Sequence, residues 1–194
     1  MNADSPMKRI FPFAGFLALV AGCLGSAPKA PVNWTIEPKA TTVFRASNPK
    51  YGVVRVAQVS VRAPYDGANL AVLRKDGSIA FDPFNAFASH PAAILRGVTC
   101  DVVDASGLFA RVVPSASGAA AKESLEVTVT RLALDCRTEG VRTASVAVSV
   151  TLLSGRDVVA MKSGEGTMPA GDGNYSAAFS SAYTAALAAA MRDL

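Results

Sequence analysis

Residues 125–152 carry the pattern that most restricts this chain. Leu125, Val127 and Val129 alternate with Glu126, Thr128 and Thr130, and Val146, Val148, Val150 and Leu152 alternate with Ala147, Ser149 and Thr151. A period of two sends one set of side chains to each face of a sheet, whereas a helix would scatter them around its circumference. The chain must therefore build a sheet with one apolar face and supply something to cover it. The phase slips at Arg131, after which Leu132 and Leu134 return to the apolar face, so a β-bulge is expected there. Thr138-Glu139-Gly140 offers the turn between the two runs. Ser154-Gly155-Arg156-Asp157 leads into a last strand over residues 158–167.

The remaining segments supply more strands and the cover. Residues 53–61 are rich in valine and partly alternating. Ala63-Pro64-Tyr65-Asp66-Gly67 reads as a turn, residues 69–75 as a strand, Asp76-Gly77 as a hairpin turn and residues 78–81 as its return. A helix is expected over residues 91–105. Ile94, Val98 and Val102 recur every four residues with Leu95 alongside, His90 or Ser89 stands at the cap, Pro91 in the first turn and Gly107 just past the end. Residues 109–113 form a short strand stopped by Pro114. Tyr175, Phe179, Tyr183 and Leu187, continued by Met191, mark an alanine-rich C-terminal helix able to lie close against a sheet. The expected fold class is α/β (α+β) over residues 51–194: a mostly antiparallel sheet, order β-β-β-α-β-β-β-β-α, with both helices on one face.

The N-terminal segment has a different logic. Lys8 and Arg9 precede an apolar run from Phe11 to Val20, and Val20-Ala21-Gly22-Cys23 follows. The run is shorter than the ~20 residues a membrane-spanning helix needs and has the anatomy of a secretory signal. A thiol placed directly after the small residues is what lipoprotein processing requires, because diacylglycerol is joined to sulfur as a thioether. Residues 1–22 are thus expected as a signal peptide, with Met7 an alternative start, and Cys23 as the lipidated residue. At about 0.8 kcal/mol per buried methylene, one acyl chain holds marginally and two or three hold firmly. Leu24, rather than an aspartate, follows the cysteine, which favours the outer membrane, periplasmic face, over the inner membrane. Residues 23–50, with Pro28, Pro31, Pro38 and Pro49, read as a tether. Trp34, the single tryptophan, is expected to dock that tether on the domain, with a position at the lipid headgroups as the alternative.

Charge and side-chain inventory narrow the function. The net charge is +4, and losing Lys8, Arg9 and Asp4 with the signal lowers it by one; no basic run is present, so no nucleic-acid partner is expected. The only histidine, His90, sits at a helix start, where capping is the ordinary role, and a histidine-based metal site would need more nitrogen ligands. There is no G-x-S-x-G elbow and no P-loop. Gly171-Asp172-Gly173 before the last helix reads as a turn and cap. Asp101 and Asp104 are expected on the outer face of the first helix, and Asp66, Asp76 and Asp82 in turns. No catalytic residues, cofactor or metal are expected. Cys100 and Cys136 remain beside Cys23, either as a disulfide in an oxidising compartment or as two separate buried thiols.

The order of motifs carries a resemblance. A lipobox is followed by a proline-bearing segment, a valine-rich strand, Ala63-Pro64-Tyr65, a strand ending in Leu73-Arg74, and a hairpin into Phe81-Asp82-Pro83-Phe84. A helix then leads to Ser106-Gly107-Leu108-Phe109-Ala110-Arg111-Val112-Val113. This resembles the ABC-type transport auxiliary lipoprotein family, which accompanies MCE-type (mammalian cell entry) lipid transport systems and includes the paraquat-inducible lipoprotein. Tyr65 and Arg74 match the tyrosine and arginine that flank the family's first hairpin, while Phe84 stands where tryptophan is commoner. The resemblance implies a non-catalytic partner of an MCE-domain protein and ABC transporter complex, with ring-forming homo-oligomers among its members. It makes Tyr65, Arg74 and Phe84 candidate partner contacts. Apolar residues of the Tyr65 loop and of residues 81–87 either form that contact face or fill the core. A lipopolysaccharide-assembly or cell-wall-synthase activator is the alternative class, and a lipid carrier with its own cavity a third.

Overall fold

The longest alternating run becomes the strand on which the rest of the sheet is assembled. In the computed structural model, which describes residues 30–38, 44–171 and 174–194, the segment Pro31–Leu194 forms one compact unit. Its elements are β1 (Val32–Trp34), β2 (Tyr51–Val61), β3 (Asn69–Leu73), β4 (Ile79–Phe87), α1 (Pro91–Ala105), β5 (Phe109–Pro114), β6 (Glu123–Asp135), β7 (Thr143–Ser154), β8 (Asp157–Pro169) and α2 (Tyr175–Arg192). β7 lies antiparallel along the whole of β6, from Glu123 opposite Ser154 to Asp135 opposite Thr143. The register shifts between Val129 and Arg131, where the change of phase put the bulge. β8 continues antiparallel on β7.

The other edge of β6 is shared by two strands. β2 runs parallel to its first half, with Val54 opposite Glu123 and Val61 opposite Val129. β3 runs parallel to its end, with Val72 opposite Leu134 and Leu73 opposite Asp135. The sheet therefore forks, with β5 parallel beside β2 in one wing, and β4 antiparallel to β3 followed by β1 parallel to β4 in the other. This corrects the expectation of a mostly antiparallel sheet. The sheet is mixed, and the class is α+β. The reason is topological. Hairpin turns enforce antiparallel neighbours, but α1 and the long connections return the chain in the same direction, which allows parallel pairing.

Inward residues of the strands meet the two helices. Leu125, Val127, Val129, Val146, Val148, Val150 and Leu152 are buried with Leu95, Val98 and Val102 of α1 and Phe179, Tyr183 and Leu187 of α2. The helices touch through a buried hydroxyl pair, Tyr183 Oη and Thr99 Oγ1 at 2.6 Å. α2 crosses β8 at backbone distance: a Cβ at Gly164 would overlap the carbonyl oxygen of Ala186, and one at Gly166 that of Ala182. The small residues that recur every four positions in α2 thus have small residues facing them in the sheet. Asn174 caps α2 by accepting from the Ala177 N–H at 3.1 Å. His90 holds the N-cap position of α1 with Pro91 following, but its side chain makes no cap hydrogen bond. Its Nδ1 instead lies 3.3 Å from the carbonyl oxygen of Asp66.

Part of the segment expected as a tether is docked. β1 pairs with β4, Ile36 is buried, and the Glu37 N–H donates to Ser180 Oγ of α2 at 2.9 Å. Trp34 donates from Nε1 to Asn85 Oδ1 at 2.9 Å and meets the Tyr175 ring edge-on, 5.5 Å between centroids. Residues 1–22 and Cys23 lie outside the described residues. Among the described residues, no helix is long and apolar enough to cross a membrane.

Candidate functional site

Two exposed phenylalanines, Phe81 and Phe84, lie on the β3–β4 wing. Asn69 faces Ala86 and Ala71 faces Phe81, so five steps of β4 span what two steps of β3 cover. The segment Asp82-Pro83-Phe84-Asn85, three residues longer than the stretch of β3 opposite it, arches out of the strand. Asp82 holds the arch: Oδ1 accepts from the Phe84 N–H at 2.8 Å and the Asn85 N–H at 3.1 Å, and Oδ2 accepts from Asn85 Nδ2 at 2.9 Å. Asn85 in turn accepts from Trp34, which ties the arch to β1. With its backbone fixed this way, Phe84 is left 43% exposed and Phe81 49% exposed. Ile79 is exposed one step earlier in the alternation.

Phe81 also walls a shallow groove of about 560 Å³ with Pro64, Asp66, Gly67, Ala68 and Asn69. The loop of residues 62–68 occupies the notch where the two wings of the sheet part. It begins with a hydrogen bond from the Arg62 N–H to Val129 O at 2.9 Å and folds through the Tyr65 N–H to Arg62 O at 2.9 Å. The Ala63–Pro64 peptide bond in it is cis. Tyr65 is half-buried, its ring packed on the core, so its main role is to seat the loop. Tyr65 and Phe84 stand at the same end of the β3–β4 hairpin. Arg74 lies at the other end, exposed in the turn, where its N–H donates to Ser78 O at 2.9 Å. Five strand residues separate the ends, about 17 Å at ~3.3 Å per residue, so the three candidates do not form one contact point. Of residues 81–87, Phe81 and Phe84 lie outside, while Phe87 fills the core, buried edge-on against Phe179. Asp82, read only as a turn residue, is the organiser of this surface. The signal was its position three residues before Asn85 in a strand interrupted by proline.

The cysteines stand apart from this surface. Cys100 is in α1, Cys136 directly follows β6, and both are free, partly buried thiols. Burial raises both thiols above the ordinary value, and the neighbouring Asp101 adds to this at Cys100. Cys136 lines a cleft of about 390 Å³ with Thr138, Val141, Arg142 and Ala170. Among the described residues no three His, Cys, Asp or Glu side chains converge as a metal site. Asp101 and Asp104 are exposed on α1.

Comparison with known proteins bears on the fold. No family model matches the chain, and no curated protein does. Among solved structures, protein XCC0632 from Xanthomonas campestris, of the DUF330 family, superposes with a TM-score of 0.59 at 20% identity, over 82% of this chain and 87% of that one. The chain has that protein's fold. Weaker similarity extends to a PelC dodecamer from Paraburkholderia phytofirmans, with TM-score 0.39, 14% identity, and 76% and 89% of the two chains covered. Lipoprotein GNA1162 from Neisseria meningitidis gives TM-score 0.37 and 10% identity, over 64% and 88% of the chains.

Proposed function

We propose that this chain is a lipid-anchored, non-catalytic envelope protein serving an ABC/MCE-type lipid transport system from the periplasmic face of the outer membrane. The observation that carries the reading is Val20-Ala21-Gly22-Cys23, followed within ten residues by the start of a folded unit. The resemblance from Ala63-Pro64-Tyr65 to Val113 directs it to lipid transport. Confinement to a surface raises the effective concentration of the domain near a membrane-bound partner without any new contact. Phe81 and Phe84, beside the groove under residues 62–68, supply the contact surface. Aromatic side chains displace much water at little cost in rotamer freedom, and a few of them dominate many interfaces. Arg74, at the far end of the hairpin, adds a peripheral charge to the same wing. Ring-forming homo-oligomers belong to this reading and are checked by native mass spectrometry of the purified chain.

Affinity purification from envelope membranes tests it. The tagged chain co-purifies an MCE-domain protein and its permease and ATPase. A Phe81→Ser/Phe84→Ser variant stays folded and membrane-bound but loses them. Cys23→Ser releases the chain from the membrane fraction and abolishes labelling by palmitate. Recovery of an outer-membrane barrel or a peptidoglycan synthase in place of the transporter proteins would overturn the transport role and leave the anchor standing.

A further inference from the structure

Among the described strands β8 pairs with β7 alone, so it is a free edge of the sheet. α2 covers its second half, where Gly164 and Gly166 meet the helix backbone. The first half has no such cover: Val158, Val159 and Met161 are 59%, 49% and 63% exposed. The register with β7 shifts in this stretch. Leu152 faces Ala160 and Leu153 faces Val158, which leaves Val159 as the extra residue of a bulge. Three large apolar side chains within four residues, at the corner where the hairpin turn meets the edge strand, form a patch of the kind that marks an interaction site.

Cations frame the patch. Arg156 precedes it in the turn and Lys162 ends it. Lys122 stands beside the turn, where the Gly155 N–H donates to its carbonyl oxygen at 3.5 Å. All three are exposed, and none of the ion pairs among the described residues involves them. Asp157 is the one acid in residues 154–163, and Glu123, next to Lys122, is buried. At the opposite end of the strands charges cancel instead, Lys75 with Glu139 and Arg137 with Asp135. The occupant follows from this chemistry. A second copy adding edge to edge is opposed by the bulge and by Lys162, both of which interrupt strand addition. A corner gives a rigid partner no concave seat. An anionic bilayer needs neither a flat edge nor a pocket, since binding there grows with apolar area inserted and with cations near the lipid phosphates.

We propose that the β7–β8 corner docks on an anionic phospholipid surface: Val158, Val159 and Met161 enter between the headgroups, and Lys122, Arg156 and Lys162 meet the lipid phosphates. Its reach rests on the lipid-anchored reading. Cys23 lies nine residues before Val32, about 30 Å of extended chain, which holds the folded unit close to a bilayer. The full chain, purified in detergent micelles, is reconstituted with vesicles of phosphatidylcholine alone or with added phosphatidylglycerol, and backbone hydrogen exchange of residues 155–162 is followed by mass spectrometry. Alternate N–H groups of an edge strand face solvent and exchange fast until something covers them. Exchange of this segment slows several-fold with phosphatidylglycerol and not with phosphatidylcholine, and high salt reverses the effect. Val158→Ser/Met161→Ser and, separately, Arg156→Gln/Lys162→Gln keep the parent's melting temperature and lose the slowing. Each cation near an anionic surface contributes about fivefold, so the second variant lowers the docking constant roughly twentyfold. A chain that leaves phosphatidylcholine vesicles but is held by phosphatidylglycerol vesicles through residues 155–162 supports the docking and sinks the anchor. Equal exchange in the two kinds of vesicle, slowing that survives in either variant, or protection in micelles that grows with protein concentration, the mark of a second copy on the edge, overturns the proposal.

Discussion

Thr99 has one hydroxyl hydrogen and directs it to Leu95 O at 2.6 Å, so in the 2.6 Å contact between the helices it is Tyr183 that donates. Tyr183→Phe removes that donor and leaves Thr99 with its bond to Leu95, so the expected loss is about 1 kcal/mol of stability, read from thermal or urea unfolding. Full burial pushes the Tyr183 phenol well above its ordinary value. The folded state therefore holds that proton more tightly than the unfolded chain, and the contribution is complete below the unfolded phenol's range, about pH 10, and declines above it. The parent should lose stability between about pH 10 and 12 more steeply than Tyr183→Phe, as seen in paired unfolding curves. The thiols make a second residue-scale prediction. In the Cys23→Ser chain, unfolded without reductant, Cys100 and Cys136 should both accept iodoacetamide, giving two mass additions. In the folded chain both should react slowly, because burial keeps each protonated at neutral pH. Labelling that appears only after reduction would show the two sulfurs joined.

At the scale of elements, α2 stays on the sheet because β8 has no side chain at two crossing points. Gly166→Ala drives a methyl into the Ala182 carbonyl and should cost about 3 kcal/mol, the upper range for overpacking. Gly118→Ala, with open space around it, should change the melting temperature little. What the sequence disclosed follows from the range over which each signal acts. The two helices, the strands from residue 53 onward apart from the second half of β4 (residues 82–87), and the bulge at Arg131 come from periodicity, which is local. The three antiparallel pairings have turns next to them: residues 74–78, Thr138-Glu139-Gly140, and Ser154-Gly155 with Gly155 at φ 62°. The parallel pairings of β2, β3 and β1 join strands distant along the chain, and alternation carries no record of a partner's direction. β1 has three residues, too few for a pattern. At the site, the phenylalanines of β4 could be noticed but not sorted. Phe81, Phe84 and Phe87 diverge because Asp82 buckles the strand between them, and only the pairing with β3 reveals the excess residues.

For the molecule as a whole, the position of Trp34 provides a built-in reporter. The single indole is held by Asn85 and Tyr175, so its fluorescence reports the docking of β1, whereas the far-ultraviolet spectrum reports the helices and the sheet together. If β1 folds with the rest, urea curves from tryptophan fluorescence and from circular dichroism should share one midpoint. An earlier fluorescence transition would mean that β1 undocks alone. The small size of that strand has a mechanical sequel. Pull on the polypeptide from the side of Cys23 enters the folded unit at Val32, and the joint that meets it first is a three-residue pairing with β4, backed by the bonds of Thr35 and Glu37 to α2. Those few bonds set the tension at which slack is paid out before the central strands feel any load.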